Sequence, residues 1–370
     1  MKTTKNKNII ISGGGTGGHV FPAISIANAI RQIEPDSNIL FVGALGKIEM
    51  EKVPAAGYEI TGLPITGLQR RLSYKNIIFI FKLIKSLYQS RKIIKKFKPD
   101  VVVGVGGYAS GPLLFMANRN NIPTLIQEQN SYAGITNKLL AKKARKICVA
   151  YEGMEKYFPK DKILITGNPI RQDLLDKIGS KDEGVEHFSL NKNKKTILLI
   201  GGSLGARTIN QSVISNIDKI GNSGIQLLWQ TGKYYYNDAK VAAENAGFEN
   251  IKVLDFIVRM DYAYAVADII ISRAGAGTIS ELCLVGKPVV LVPSPNVAED
   301  HQTKNAMALE KRNAAVMIKD SNAKQELIDT VLDLIHHDEK LNELSENIKE
   351  MALRDSAKII AGEVLKLVEK

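Results

Sequence analysis

Residues 8–30, NIIISGGGTGGHVFPAISIANAI, decide how the first half of this chain folds. A short run of isoleucines leads through a glycine-rich loop into a segment whose apolar residues recur at helical spacing. Gly13, Gly15 and Gly18 match the pattern G-x-G-x-x-G, which by itself is weak evidence. Glycine permits a tight turn and a close ligand, and a helix start offers N–H groups and a positive dipole end. The stretch therefore predicts a strand–loop–helix unit with an anion site at the turn.

The two best-known sites of this type do not fit the neighbouring residues. A dinucleotide site has an acid at the end of the second strand, about 20 residues further on, which binds the ribose. Here that strand, NILFVGALG, ends in Gly43 and Ala44. A P-loop continues as Gly-Lys-Ser/Thr, and His19 occupies the position of the lysine. A different anionic ligand is therefore favoured, and glycines that serve only a tight turn are the alternative.

Short β-branched runs alternate with longer helical segments along the chain, which is typical of parallel α/β domains. The first series of predicted strands is Asn8–Ser12, Ile39–Val42, Val101–Gly104, Thr124–Gln127 and Lys146–Ala150. The second series is Thr196–Ile200, Gln226–Gln230, Ile251–Leu254, Ile269–Ser272 and Val289–Pro293. Each series begins with an apolar strand, two glycines and a helix. We therefore predict an α/β fold with two Rossmann-like domains whose parallel sheets face a central cleft.

The domain junction is predicted near Gly167–Arg171, and residues 179–195 are predicted to be linker and surface loop because they are polar. Two later loops repeat the glycine-rich design, in VVVGVGGYASGP (residues 101–112) and LLIGGSLGARTIN (residues 198–210). Residues 274–278 open a further helix, which bears Glu281. This carboxylate can accept from two ribose hydroxyls, or it can simply complement the helix dipole. Helix starts of small residues in both domains suit a ligand with a diphosphate in its middle.

The charge of this 370-residue chain is unevenly distributed. The formal net charge is +12, and the first 165 residues contain 25 Lys+Arg but only 10 Asp+Glu. This excess favours an anionic partner for the first half, either nucleic acid or an anionic membrane surface, and a solvated lysine-rich surface is the alternative. The two cysteines, Cys148 and Cys283, lie in apolar runs. They are predicted to be core thiols, not parts of a disulfide framework or a metal site.

Residues 60–99 are basic and apolar and contain no acid. Their apolar residues are too continuous for one buried helix stripe, so some of them should be exposed beside lysines, as in an interfacial membrane contact. A core helix with a solvated basic face is the alternative. Nucleic acid is less favoured because aliphatic residues outnumber the aromatic ones that stack on bases. The predicted membrane-contact residues are Ile77, Ile78, Phe79, Phe81, Lys82 and Lys85.

Seven motifs occur in the order found in one family of bacterial enzymes. They are GGGTGGHVFPA, GVGGYASGP, QEQNSYAGITNKLLA, TGNPIR, GGSLGARTIN, SRAGAGTISEL and DHQTKNA. Across nearly its whole length the chain resembles the MurG family, the UDP-N-acetylglucosamine:lipid I N-acetylglucosaminyltransferases of peptidoglycan synthesis. The resemblance implies a GT-B fold and transfer with inversion at the anomeric carbon.

The resemblance also implies a division of labour between the domains. Residues 1–167, joined by a C-terminal helix at 354–370, would bind the acceptor lipid I and the membrane. Residues 168–353 would bind UDP-N-acetylglucosamine (UDP-GlcNAc). The protein would be peripheral, on the cytoplasmic face of the bacterial plasma (inner) membrane, with other cell-wall synthesis proteins as further partners and no nucleic acid.

The family's site residues carry over to matching positions of this chain. Arg171 and Ser203 match positions near the diphosphate, Ile257 matches the uracil contact, Glu281 the ribose contact and Gln302 the contact with the sugar hydroxyls. Other matched sugar-nucleotide positions are Thr16, Gly17, Gly18, Asn130, Ala276, Gly277, Thr278, Ile279 and Ser280. Tyr108 would contact the acceptor or merely cover the end of a strand.

The implied reaction needs a base for the acceptor hydroxyl and a partner for the leaving diphosphate. His19 faces the presumed cleft and can take a proton near neutral pH, or it positions the loop. Glu128 is the second candidate base, and its alternative role is a surface acid that orders the EQN turn. The chain contains no Asp-x-Asp, so helix starts, backbone N–H groups and Arg171 would stabilise the diphosphate without a metal or other cofactor.

Two competing functions stay open at this point. One is a nicotinamide-dependent oxidoreductase that uses the first glycine loop, against which the missing ribose acid speaks. The other is a non-catalytic nucleotide-sugar-binding membrane protein, against which glycine loops in both domains speak.

Overall fold

The computed structural model describes residues 6–67, 74–170, 179–297 and 300–369. It divides into two compact units: unit 1 is Met1–Ile170 with Leu353–Lys370, and unit 2 is Arg171–Ala352. Each unit contains its own parallel sheet and its own hydrophobic core. The predicted α/β class with two parallel-sheet domains is therefore confirmed.

Unit 1 contains strands β1 (Asn8–Gly13), β2 (Asn38–Ala44), β3 (Glu59–Leu63), β4 (Val101–Gly106), β5 (Thr124–Glu128), β6 (Lys146–Val149) and β7 (Ile163–Ile165). Its helices are α1 (Gly17–Ile33), α2 (Glu49–Ala55), α3 (Tyr74–Phe97), α4 (Ser110–Arg119), α5 (Ile135–Ala141) and α15 (Ser356–Val368). The spatial order of the strands is β3-β2-β1-β4-β5-β6-β7, and neighbouring strands are parallel.

The centre of this sheet is formed by β1 and β4, whose β-branched residues are buried on both faces. Continuous apolar strands of this kind are typical of parallel sheets that are covered by helices on both sides. Because parallel strands all end at the same edge, the loops after β1, β4 and β5 lie side by side. This edge carries the first glycine loop, the GVGGY loop and the EQN turn.

The helix α15 belongs to unit 1 although it is the last helix of the chain. Its residues Ile360, Ala361 and Val364 are buried in the same core cluster as Ala23 and Ala27 of α1. Small side chains on α1 allow the two helices to approach closely, so α15 closes one face of the first sheet.

Unit 2 contains strands β8 (Thr196–Ile200), β9 (Gln226–Gln230), β10 (Ile251–Leu254), β11 (Ile269–Ser272), β12 (Val289–Leu291) and β13 (Val316–Met317). Its helices are α6 (Lys181–His187), α7 (Arg207–Ser215), α8 (Ile217–Asn222), α9 (Tyr236–Ala246), α10 (Met260–Val266), α11 (Ala276–Val285), α12 (His301–Glu310), α13 (Ala323–Leu334) and α14 (Asp338–Glu350). The parallel strands are arranged as β10-β9-β8-β11-β12-β13. The loops after the central strands β8 and β11 therefore meet at one edge.

The structure corrects the prediction that residues 179–195 are loop throughout, because α6 forms within them. The Ser180 side chain accepts from the Glu183 N–H while the Glu183 side chain accepts from the Ser180 N–H, which is a complete capping box. The sequence SKDE carries this signal. Strands β3, β7 and β13 are short or partly exposed, and their weak patterns were missed.

Both cysteines are buried, as predicted. Burial raises the pKa of the Cys148 and Cys283 thiols to about 12. They are therefore protonated, inert parts of the two cores at neutral pH.

Candidate active site

The first glycine loop of unit 1 folds against the GVGGY loop through direct backbone contact. The N–H of Gly14 donates to the Gly106 carbonyl over 3.3 Å. Gly106 and Gly107 have φ values of +102° and +91°, and a Cβ on Gly107 would overlap the Gly14 carbonyl. Glycine is required here because two backbones touch and because L-residues avoid this φ region. The Ser110 hydroxyl, at the start of α4, donates to the carbonyls of Ser12 and Gly106 at 2.9 Å each and so locks the two loops together.

A residue that the sequence reasoning missed supports this loop from behind. Glu49 at the start of α2 is 0% exposed. Its Oε2 accepts from the Gly15 N–H at 2.8 Å and its Oε1 from the Ala44 N–H at 2.9 Å. The acid expected at the end of β2 is thus supplied five residues later, and it binds protein backbone. A dinucleotide ribose therefore finds no open carboxylate in Glu49.

His19 and Tyr108 lie on either side of the same loop. The Thr16 hydroxyl is 3.2 Å from His19 Nδ1, and a Cβ on Gly106 would stand only 2.7 Å from His19 Nε2. The ring of Tyr108 lies next to Gly15 and against Gly67, and nearly half of this side chain is exposed. The structure therefore brings together three predicted residues, Thr16, His19 and Tyr108, at the carboxyl edge of the first sheet.

Glu128 orders the EQN turn, as its alternative role predicted, but it is a buried acid and not a surface one. It is 2% exposed and its carboxylate accepts from the N–H groups of Asn130 (3.1 Å) and Gly134 (3.0 Å). The side-chain amides of Asn130 and Asn137 also donate to it, at 3.2 and 2.8 Å. Burial raises the pKa of Glu128 above its usual value, and these four donors offset only part of the rise. The four donors therefore fix this carboxylate within the EQN turn.

The glycine loop of unit 2, residues 201–206, is held from the next strand. The N–H of Gly201 donates to the Gln230 carbonyl at 3.0 Å, and the Lys233 N–H donates to the Ser203 carbonyl at 3.1 Å. Gly205 has a φ of +92°, and a Cβ there would overlap Tyr235. The exposed Ser203 therefore occupies a tightly defined position in front of α7.

The start of α11 carries the predicted nucleotide contacts of unit 2. Its first turn contains Ala276, Gly277 and Thr278, and Gly275 precedes it in an extended conformation. The buried hydroxyl of Tyr264 donates to Glu281 Oε2 at 3.5 Å, a partner that the sequence did not reveal. Burial, and then the nearby Glu281, raises the pKa of Tyr264 well above its usual value, so this hydroxyl remains a donor.

Gln302, at the start of α12, also has a fixed orientation. Its Oε1 accepts from the Ser294 N–H at 2.8 Å, which fixes the side-chain amide. Beneath these loops, Arg273 Nη1 contacts Asp320 Oδ1 at 2.5 Å and the carbonyl of Val292 at 3.0 Å. The arginine thereby ties the ends of β11 and β12 together.

Ile257, the residue that matches the uracil contact, is fixed through both its side chain and its backbone. Its side chain is buried, and its N–H donates to Gln230 Oε1 at 3.1 Å. A cavity of about 620 Å³ adjoins it and is also lined by Phe188, Val253 and Phe256. Arg171, predicted near the diphosphate, lies outside the described residues.

The helix α3 exposes most of the apolar residues that were predicted to meet a membrane. Ile77 and Phe81 are 61% and 69% exposed, and Ile78 and Ile84 are exposed as well. Phe79 differs from the prediction that it contacts a membrane. It packs against the unit 1 core, because it lies on the helix face that continues through Leu83 and Leu87.

The neighbouring helices α4 and α5 also expose apolar residues. Phe115 on α4 and Ile135 and Leu139 on α5 are exposed, and α4 packs against both α3 and α5. Every helix in the described part of the chain is too short or too polar to span a bilayer.

Comparison with known proteins gives consistent matches. The family model described as "Glycosyltransferase family 28 N-terminal domain" matches residues 9–149, and "Glycosyltransferase family 28 C-terminal domain" matches residues 196–360. A "UDP-N-acetylglucosamine--N-acetylmuramyl-(pentapeptide) pyrophosphoryl-undecaprenol N-acetylglucosamine transferase" of Parabacteroides distasonis is 60% identical over 362 residues, which is 98% of both chains.

Solved structures agree on the fold. MurG of Acinetobacter baumannii matches with a TM-score of 0.80 at 28% identity, over 97% of this chain and 99% of that chain. A UDP-GlcNAc 2-epimerase from Neisseria meningitidis bound to UDP-GlcNAc matches with a TM-score of 0.66 at 16% identity, over 97% and 100% of the two chains. The second likeness is one of fold alone.

Proposed function

The chain belongs to glycosyltransferase family 28, and we propose that it moves N-acetylglucosamine from UDP-GlcNAc to the 4-hydroxyl of N-acetylmuramic acid in lipid I, giving lipid II and UDP. It is a hexosyltransferase with the GT-B fold, and its reaction is a step of peptidoglycan synthesis. The observation that carries the proposal is the 60% identity to the N-acetylglucosamine transferase of Parabacteroides distasonis over 98% of both chains.

On unit 2, several features support a sugar-nucleotide site. Glu281 is held by Tyr264 and would accept from the ribose hydroxyls. Gln302 would donate its Nε2 to the sugar, and the carbonyl of Ile257 would meet the uracil. Ser203 would lie near the diphosphate, and residues 276–280 at the start of α11 would lie along the nucleotide. On unit 1, Thr16, Gly17, Gly18 and Asn130 remain proposed contacts of the same ligand.

The chemistry follows from where charge develops. The acceptor oxygen attacks C1 of the sugar from the face opposite the diphosphate, the bond from C1 to the diphosphate breaks, and the configuration inverts. Charge then accumulates on the leaving UDP, where N–H groups at helix starts and Arg171 stabilise it without a metal. His19 takes the hydroxyl proton, with Thr16 orienting its ring. Tyr108 contacts the acceptor.

Unit 1 would hold the enzyme to the cytoplasmic face of the plasma membrane. The exposed residues of α3, together with Phe115, Ile135 and Leu139, give an apolar surface beside Lys82 and Lys85. Such a surface combines insertion of apolar side chains with attraction to anionic lipid, and it would place the enzyme beside its lipid-linked acceptor.

Turnover of UDP-GlcNAc with a lipid I analogue in EDTA tests the function. We expect UDP release and a product with inverted configuration at C1. Release that required added Mg²⁺ or Mn²⁺ would contradict the metal-free mechanism, and no release under any condition would remove the proposed function.

The donor site is tested by Glu281→Gln. Loss of a charged acceptor for two hydroxyls should raise the KM for UDP-GlcNAc about tenfold or more. Glu244→Gln, which alters an exposed acid of the same unit paired with Lys240, is the matched control and should leave this KM unchanged.

A further inference from the structure

Glu49 is a buried acid, and acids are seldom fully buried unless they are paired. Its side chain is fully buried at the start of α2, and no cation lies within ion-pair distance of it in the described part of unit 1. Burying an uncompensated carboxylate is costly unless strong hydrogen bonds replace its water. The two backbone N–H groups that it accepts come from Gly15 and Ala44, which are 34 and 5 residues away in the chain.

The surrounding sequence makes room for this carboxylate. The three atoms nearest to a Cβ placed on Gly14 all belong to the carboxylate group of Glu49, and they lie too close for any side chain. A Cβ on Gly43 would stand 2.5 Å from Glu49 Cγ. Gly14 has no positive φ, so its lack of a side chain is explained by the acid and not by backbone strain.

The carboxylate connects directly to the residues that meet the acceptor. The Gly15 N–H that it holds belongs to a residue with a φ of +88°. The next residue is Thr16, whose hydroxyl is 3.2 Å from His19 Nδ1, and the Tyr108 ring lies beside Gly15. A shift at Gly15 therefore moves Thr16 and His19 together.

We propose that Glu49 is a positioning residue for glycosyl transfer, which clamps the glycine loop to the end of β2 and thereby sets the placement of Thr16 and His19. It touches no substrate. This inference rests on the proposed function, because the reaction it serves is the transfer to the lipid-linked hydroxyl.

The same contacts decide which N–H groups of this loop can meet a ligand. The Gly14 N–H is used by the Gly106 carbonyl and the Gly15 N–H by Glu49. The first turn of α1 begins at Gly17 and Gly18, whose N–H groups have no acceptor within the helix. The first loop therefore offers fewer N–H groups to an anion than its sequence indicates. Its main role is to hold side chains in place.

The test is Glu49→Gln compared with Glu51→Gln. Glutamine has the same shape, but its amide can accept from only one N–H and presents a donor to the other. We expect kcat to fall about tenfold or more, since small displacements of reacting groups have effects of this size. The KM for UDP-GlcNAc should change less than about threefold, because its main contacts lie on unit 2. Glu51, an exposed acid on the same helix, should tolerate the change.

A purely structural role would give a different result. In that case Glu49→Gln would lower the melting temperature. The kcat per folded molecule, with folded molecules counted by UDP-GlcNAc binding, would stay unchanged. A kcat within about twofold of wild type on that basis would overturn the inference. If wild-type protein itself releases no UDP, the proposed function fails instead, so the two failures are distinguishable.

A second variant approaches the same contact from the other side. Gly14→Ala should lower kcat as Glu49→Gln does, because its Cβ displaces the carboxylate. In a Glu49→Ala background the space is empty, and Gly14→Ala should cost little more. Losses that simply add would show that Gly14 and Glu49 act independently and would contradict the clamp.

Discussion

At the scale of single residues, the two buried acids of unit 1 have parallel roles. Glu49 holds the loop after β1 and Glu128 holds the turn after β5, each through backbone N–H groups. In both places a carboxylate replaces the regular pairing that a loop lacks, and charge-assisted hydrogen bonds are about twice as strong as neutral ones. Of the two proposed bases, His19 is the one that the Thr16 hydroxyl contacts, and its role in proton transfer remains a proposal.

His19→Ala should lower kcat about 100-fold or more, because general base catalysis contributes effects of this order. Binding of UDP-GlcNAc, measured by titration, should change little.

His336→Ala, which alters an exposed histidine of unit 2, is the control and should behave as wild type. Single-turnover transfer by His19→Ala within about tenfold of wild type would remove the base role.

At the scale of elements, α3 shows how one helix serves two environments. Phe79, Leu83 and Leu87 face the core, whereas Ile77, Phe81 and Ile84 face outward. The sequence indicates that too many apolar residues are present for one stripe, but it does not say which of them turn inward. That choice depends on where α4 packs, since α4 covers one side of α3.

The double variant Ile77→Ser/Phe81→Ser should weaken binding to phosphatidylglycerol vesicles about tenfold or more, because two apolar side chains of this size each contribute about 1.5–3 kcal/mol on burial. Co-sedimentation measures the bound fraction. Val241→Ser, at an exposed apolar residue of unit 2, should have no effect.

Binding of wild-type protein to phosphatidylcholine should be weaker than to phosphatidylglycerol because the lysines contribute only with anionic lipid. Equal binding to both lipids would refute this electrostatic part of the proposal.

At the scale of the whole molecule, the order of segments in space differs from their order in the chain. The last helix, α15, completes the first core, and the segment Arg171–Ala352, between β7 and α15, forms the second unit. Unit 1 is therefore incomplete until α15 has been synthesised. The sole tryptophan, Trp229, is fully buried in unit 2, where its Nε1–H donates to Asn210 at 2.9 Å.

Ile360→Ala should destabilise unit 1 by about 2–5 kcal/mol, since it leaves a cavity between α15 and α1. The denaturant midpoint followed by circular dichroism should fall, whereas the Trp229 fluorescence transition, which reports unit 2, should move less. The neighbouring Ile359 is 43% exposed, and Ile359→Ala should cost little. An equal loss from both variants would contradict the packing of α15.

The two parallel-sheet domains, the glycine loops and the family can be predicted from local patterns: β-branched runs, glycine spacing and motif order. Three features emerge only from the folded chain: Glu49 accepts from the Gly15 N–H, four donors engage Glu128, and Phe79 packs on the core. Each of these depends on a partner that packing brings near, such as the Gly15 N–H that is 34 residues from Glu49 in the chain. Hydrogen bonds and buried faces between distant segments leave no period in a sequence, whereas strands and helix starts do.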